Sequence, residues 1–127
     1  MRGMCVGDIY HLIYEKLDKI GVFGIRQYAV IEKPPFVPLC IDRLDDSVYA
    51  LSQNPVVDGT MVPEPDVEIR VSHEHKTAEP LCLQNHSGRR VVYPCPGKVD
   101  LGAKHDLARF LDQWLSELIS QGFIRHQ

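Results

Sequence analysis

No apolar run in this chain approaches the ~20 residues that a membrane-spanning helix requires. Arg2 stands near the N-terminus, but no apolar stretch of ~7–15 residues follows it, so no secretory signal is expected. An excess of positive charge is also missing. Fourteen Lys and Arg face 17 Asp and Glu, for a net charge of -3. A nucleic-acid module needs a concentrated basic surface to displace phosphate counterions, so neither nucleic acid nor a membrane is an expected partner. The four cysteines, Cys5, Cys40, Cys82 and Cys95, form no C-x-x-C pair, which removes the usual zinc and dithiol spacings. No G-x-S-x-G elbow, P-loop, Rossmann glycine pattern or H-E-x-x-H helix occurs either. No cofactor is implied, and the sequence speaks about its build before its activity.

What is present reads as one domain over residues 1–127. The chain is 44% apolar and 24% charged, an ordinary globular balance. At this length it should bury roughly two-thirds of the surface its unfolded chain exposes. Without an export signal the reducing cytoplasm is the expected compartment, and the cysteines read as reduced structural thiols. Cys40 and Cys82 lie inside apolar runs, where cysteine acts as a small buried hydrophobe. Cys95, between Pro94 and Pro96, is the one thiol placed in a loop where a nucleophile would need to be.

Periodicity sets the expected elements. Ile9, Leu12, Ile13, Leu17 and Ile20 recur at helical spacing, so a helix is expected over Asp8–Ile20, with Asp8 as its N-cap, Gly21 as its stop, and Met4 and Val6 packing back on the stripe. Short strands are expected over Gln27–Lys33, Phe36–Leu44 and Val48–Gln53, with Asp45-Asp46-Ser47 as a turn. Asn54–Pro65 reads as a loop, because its prolines oppose both helix and central strand. The alternation of Val67, Ile69 and Val71 with Glu68, Arg70 and Ser72 predicts a half-buried strand. A strand over Ala78–Gln84 follows, with Pro80 marking an edge or a bulge, and another over Arg89–Tyr93. Leu107, Phe110, Leu111, Trp114, Leu115, Leu118 and Ile119 predict a second amphipathic helix ending near Gly122, with Phe123 and Ile124 folding back on it. Strands bracketed by two helices, with gaps too short for crossovers, give an α+β fold: a mainly antiparallel sheet of about five or six strands flanked by an N-terminal and a C-terminal helix.

The chemistry-bearing residues are sparse. His73-Glu74-His75 lies at the end of the clearest strand and His86 at the next turn. If those two strands form a hairpin, His86 falls at the opposite end from His73. That leaves two ligands where a metal needs three or four, so no metal site is expected. Arg89, Arg90, Lys98 and Lys104 form a modest basic cluster near the second helix, read as solvated surface.

The stretch Val67–Glu74 with Ala78-Glu79, then Tyr93-Pro94-Cys95, Lys104, and Phe110–Leu115, resembles a segment of the YqiB-like bacterial family, a domain of unknown function. The likeness runs over about residues 66–122. That family places a strand before a tyrosine-histidine-aspartate turn and an alanine-glutamate pair. Its later signatures are a tyrosine-proline-asparagine, an aspartate-glutamate-lysine and a helix carrying tryptophan-leucine. Here Ser72, Glu74 and Cys95 stand for its tyrosine, aspartate and asparagine, Gly102-Ala103 for its acidic pair, and Ala108 for a helix asparagine. Arg70, His73, Glu79, Tyr93 and Lys104 remain as the candidate binding residues. The resemblance implies the fold and no reaction. Glu79 or Glu74 is expected to pair with Arg70 or Lys104 in a network that ties strands to helix.

Two functions are weighed. The leading expectation is a non-enzymatic module that binds a protein partner or associates with itself, a homodimer being one such form, through a strand edge near Pro80 or the 54–65 loop. The alternative is a small hydrolase or metal-dependent enzyme using His73 with Glu74 or Glu79, which would need those groups in a cleft. A third expectation, a ligand pocket between sheet and helices, has no sequence signal of its own.

Overall fold

The computed structural model describes residues 6–62 and 64–125. The expected packing of Met4 falls outside them. The first helix, α1, spans Val6–Ile20 and puts Ile13, Leu17 and Ile20 fully out of solvent. It begins two residues earlier than Asp8. Asp8 therefore stands in the first turn, near the positive end of the helix dipole, and is not the cap. Gly21 ends the helix at φ 97°, and its N–H reaches Leu17 O at 3.1 Å. A side chain there would be strained by that φ and would meet Arg125, which closes the far end of the chain by donating to Ile20 O at 2.7 Å.

After a short 3₁₀ turn, Val22–Gly24, the chain runs through eight strands: β1 Tyr28–Ile31, β2 Leu39–Arg43, β3 Val48–Ser52, β4 Val56–Val57, β5 Thr60–Met61, β6 Asp66–Ser72, β7 Thr77–Asn85 and β8 Gly88–Val91. The main sheet has the order β1-β2-β3-β6-β7-β8, antiparallel throughout. The second helix, α2, spans Leu101–Ser120. This is the α+β arrangement the pattern predicts. Core residues of α1, of β2, β3 and β6, and of α2 form one cluster, so both helices cover the same sheet face.

Several local expectations are corrected. The 54–65 stretch is not bare loop: β4 and β5 pair as a small ribbon around Asp58-Gly59, both at positive φ. The two-residue Asp-Gly loop supplies the backbone twist that a tight hairpin needs. β2 starts at Leu39, because Pro38 lacks the N–H a ladder requires. Pro80 does not mark an edge. β7 is paired on both sides, with β6 and with β8, and Pro80 sits at a bulge where Leu81 is extra between the partners of Glu68 and Ile69. The bulge interrupts the ladder where proline has nothing to donate.

α2 starts well before its apolar stripe. Asp100 caps it, its Oδ1 accepting from Ala103 N at 2.9 Å, a start signal legible in Asp100-Leu101-Gly102-Ala103. Leu107, Leu111, Trp114, Leu115 and Leu118 are buried as expected, but Phe110 is not: it is 38% exposed and stacks on the outer side of Trp114. Phe123 folds back, fully buried, donating its N–H to Leu118 O at 3.0 Å.

Candidate functional site

Four of the five candidate residues meet at one place. Arg70 on β6 and Glu79 on β7 face each other directly in the ladder, and Arg70 Nη2 donates to Glu79 Oε1 at 2.7 Å. The other carboxylate oxygen, Oε2, accepts from the Tyr93 hydroxyl at 2.8 Å and from Lys104 Nζ at 2.9 Å. Lys104 also donates to the Tyr93 hydroxyl at 3.0 Å. The guanidinium of Arg70 lies over the Tyr93 ring, 5.4 Å from its centre. Glu79 thus pairs with both expected cations at once. The network ties two strands, the segment after β8 and the first turn of α2.

Local structure explains the convergence. The His73–Lys76 turn sets the register that puts Arg70 opposite Glu79. The Asp100 cap sets the rotation of α2, and Lys104 falls one turn beyond it, on the side that faces β7. Burial alone would raise the Glu79 carboxyl, but hydrogen bonds from Lys104, Arg70 and Tyr93 outweigh it and hold the group below its usual range. Burial pulls Lys104 down, and the bonds to Glu79 and Tyr93 more than reverse this, so the ammonium is held above its ordinary value. Arg70 is raised by its bond to Glu79. A carboxylate fixed in its ionised form by three donors is a poor proton carrier near neutral pH.

His73 stands apart from this cluster. It is exposed in the turn, and its Nδ1 lies 2.8 Å from the Tyr14 hydroxyl. Its ring packs edge-on against Phe23, centre to centre 4.8 Å. His73 thus meets aromatic residues of α1 and the 3₁₀ turn, whereas Glu79 is committed to Arg70, Tyr93 and Lys104. Glu74 lies 3.9 Å from His75. His86 contacts Glu64 at the opposite end of the hairpin, as the strand order requires. Among the described residues no group of three or more His, Cys, Asp or Glu side chains is placed to hold a metal ion.

A cleft of about 360 Å³ opens beside the network. Arg70, Glu79 and Lys104 form one side, and Tyr10, Ser47, Val71, Ser72 and Thr77 complete it. Tyr10, Ser47 and Thr77 carry no periodicity or motif that would have singled them out in the sequence. A larger hollow, about 650 Å³, is made wholly by residues 93–99 around the exposed Cys95.

The two edges of the sheet differ. β8 is guarded: it carries Arg89 and Arg90, and Arg90 is tied to Asp106 of α2 at 2.7 Å. Among the described residues β1 pairs with β2 alone. Its four residues, Tyr28-Ala29-Val30-Ile31, hold no charge and no proline, and Tyr28 and Val30 are 57% and 44% exposed. Natural edges are usually blunted by charge, proline or a bulge, and β1 has none of these within it.

The profile of a family described as a domain of unknown function (DUF6908) matches residues 8–124, spanning both helices and the whole sheet. Neither the curated proteins nor the solved structures gave a match. No helix among the described residues is long and apolar enough to cross a membrane.

Proposed function

The chain belongs to the DUF6908 family, and from that premise we propose that it is a cytoplasmic, non-enzymatic assembly module that forms a homodimer through β1. The single observation that carries this reading is the bare, apolar, singly paired β1 at the end of an otherwise guarded sheet. Alternation puts Tyr28 and Val30 on one exposed side of β1, and the exposed Arg26 and Glu32 flank the strand.

Symmetry narrows the pairing. Hydrogen-bonded and non-hydrogen-bonded pairs alternate along an antiparallel ladder. A two-fold axis must therefore pass where a residue faces its own copy. With Ala29 on the axis, Tyr28 faces the other copy's valine at position 30. Arg26 then faces the other copy's glutamate at position 32, and the reciprocal pair forms at the other end. Aromatic against β-branched and cation against anion are both favourable cross-strand pairs. Moving the axis to Val30 sets Tyr28 against glutamate and Gln27 against lysine, and the ion pairs are lost.

We also read the likeness of residues 66–122 to the YqiB-like bacterial family as distant kinship. It is supported by the meeting of Arg70, Glu79, Tyr93 and Lys104, four of the positions that carry it.

Sedimentation equilibrium tests the dimer. The wild-type chain is expected to show twice its formula mass at about 100 µM, and Val30→Lys to be monomeric with an unchanged circular dichroism spectrum. A wild-type chain that stays monomeric at that concentration rejects the reading.

A further inference from the structure

The cleft beside the network is built for a ligand whose charge is opposite to its own. Two cations, Arg70 and Lys104, face one carboxylate, Glu79, which leaves one positive charge in excess. Both Glu79 oxygens are already engaged, Oε1 by Arg70 and Oε2 by Tyr93 and Lys104, so the acid offers an incoming anion little free charge. Arg70 spends one nitrogen on Glu79, and its side chain stays 49% exposed. A guanidinium has five donors in a fixed fork that matches carboxylate and phosphate oxygens. Stacking over Tyr93 and pairing with Glu79 fix its orientation before any ligand arrives.

The rest of the wall fits the same ligand. Ser72 and Thr77 bring hydroxyls, which donate well to an oxyanion, while that of Ser47 already donates to Asp45 Oδ1 at 3.4 Å. The Tyr10 hydroxyl, on a residue lining the cleft, is buried and has no hydrogen-bond partner among the described residues. With that oxygen closed off from solvent, Tyr10 contributes its ring to the wall and not a donor. Val71 and the Tyr10 ring give an apolar surface for a carbon skeleton. The volume, about 360 Å³, lies at the small end of ligand pockets.

We propose that the cleft between α1, α2 and the β6–β7 hairpin binds a small anionic metabolite through its oxyanion, a carboxylate or a phosphate, with Arg70 as the primary contact. Inorganic phosphate and acetate are the two probes, each titrated into the isotope-labelled full chain at constant ionic strength and followed by amide chemical shifts. Saturable shifts of Tyr10, Ser47 and Thr77 are expected with one or both. Saturation by phosphate alone assigns a phosphorylated ligand, and by acetate alone a carboxylate. Arg70→Gln should weaken binding by about tenfold or more, and Lys19→Gln, exposed in the last turn of α1 and outside the cleft, should not change it. Thr77→Val leaves the ion pairs intact and should weaken binding about threefold, which decides the matter if Arg70→Gln does not fold. No saturation by either anion at about 50 mM, or wild-type affinity in both variants, overturns the proposal.

Discussion

Lys104 Nζ lies 2.9 Å from Glu79 Oε2, and this contact joins the first turn of α2 to β7. The two side chains are 28% and 22% exposed, so water screens the pair less than a surface ion pair. Glu79 is the centre of the network, because each of the other three groups donates to it.

The acid stability of the chain should therefore depend on Glu79. Its folded carboxyl titrates below the ordinary value of 4.5. A depressed carboxylate contributes stability above its unfolded value and loses it as pH falls through the folded one. Glu79→Gln is expected to cost about 2 kcal/mol at pH 7, the scale of a charge-assisted hydrogen bond. The gap from wild type should shrink as the pH falls well below the ordinary carboxyl value. Urea denaturation at neutral and strongly acid pH measures both differences, and a gap that stays constant would show that the network does not act through ionisation.

The register proposed for β1 makes its own prediction. Arg26→Glu and Glu32→Arg should each place like charges opposite one another across the axis and weaken the dimer by about tenfold. The double exchange restores opposite pairs and should recover most of the affinity. Sedimentation of all three variants reads the pattern. Two weak singles with a weak double would move the axis away from Ala29.

Thiol reactivity should separate the cysteines. Cys82 is buried, and loss of solvent pushes its thiol up to about 11, with Glu68 nearby adding to the rise. Thiolate is the reacting form, so at pH 8 Cys82 should react about a hundredfold or more slower than an ordinary accessible thiol. Cys95, exposed in the 93–99 loop, should be alkylated first. Peptide mapping after a short iodoacetamide pulse, with and without denaturant, gives the order. Equal labelling of Cys82 and Cys95 in the folded chain would contradict the buried position of β7.

Much of the fold was legible because burial imposes a period. Val67, Ile69 and Val71 alternate because one sheet face is covered, and Leu107, Leu111, Trp114, Leu115 and Leu118 follow the helical repeat for the same reason. Phe110 fits that repeat equally well yet lies outside. The width of the buried arc is set by what the helix packs against, which spacing alone does not report. Pro80 announced an irregularity but not its kind. An edge and a bulge both tolerate a missing N–H, and only the pairing of β7 with β8 separates them.

The candidate site was half legible. The resemblance picked out Arg70, Glu79, Tyr93 and Lys104, and the expected pairing of Glu79 with Arg70 or Lys104 needed only the idea that buried charges seek partners. Tyr10, Ser47 and Thr77 had no signal, because α1, the β2–β3 turn and the start of β7 meet only in space.

By itself the sequence determined the two helices and the strands of the main sheet, its antiparallel character and the composition of its core, since these follow from local period, capping and loop length. Tertiary structure alone decided that, among the described residues, β1 is paired on one side while β7 is enclosed, that His73 turns to Tyr14 and Phe23, and that two cations and a carboxylate border one cleft. Those outcomes depend on strand order, register and helix rotation, which are fixed by the summed packing of distant residues and leave no trace in any short stretch of chain.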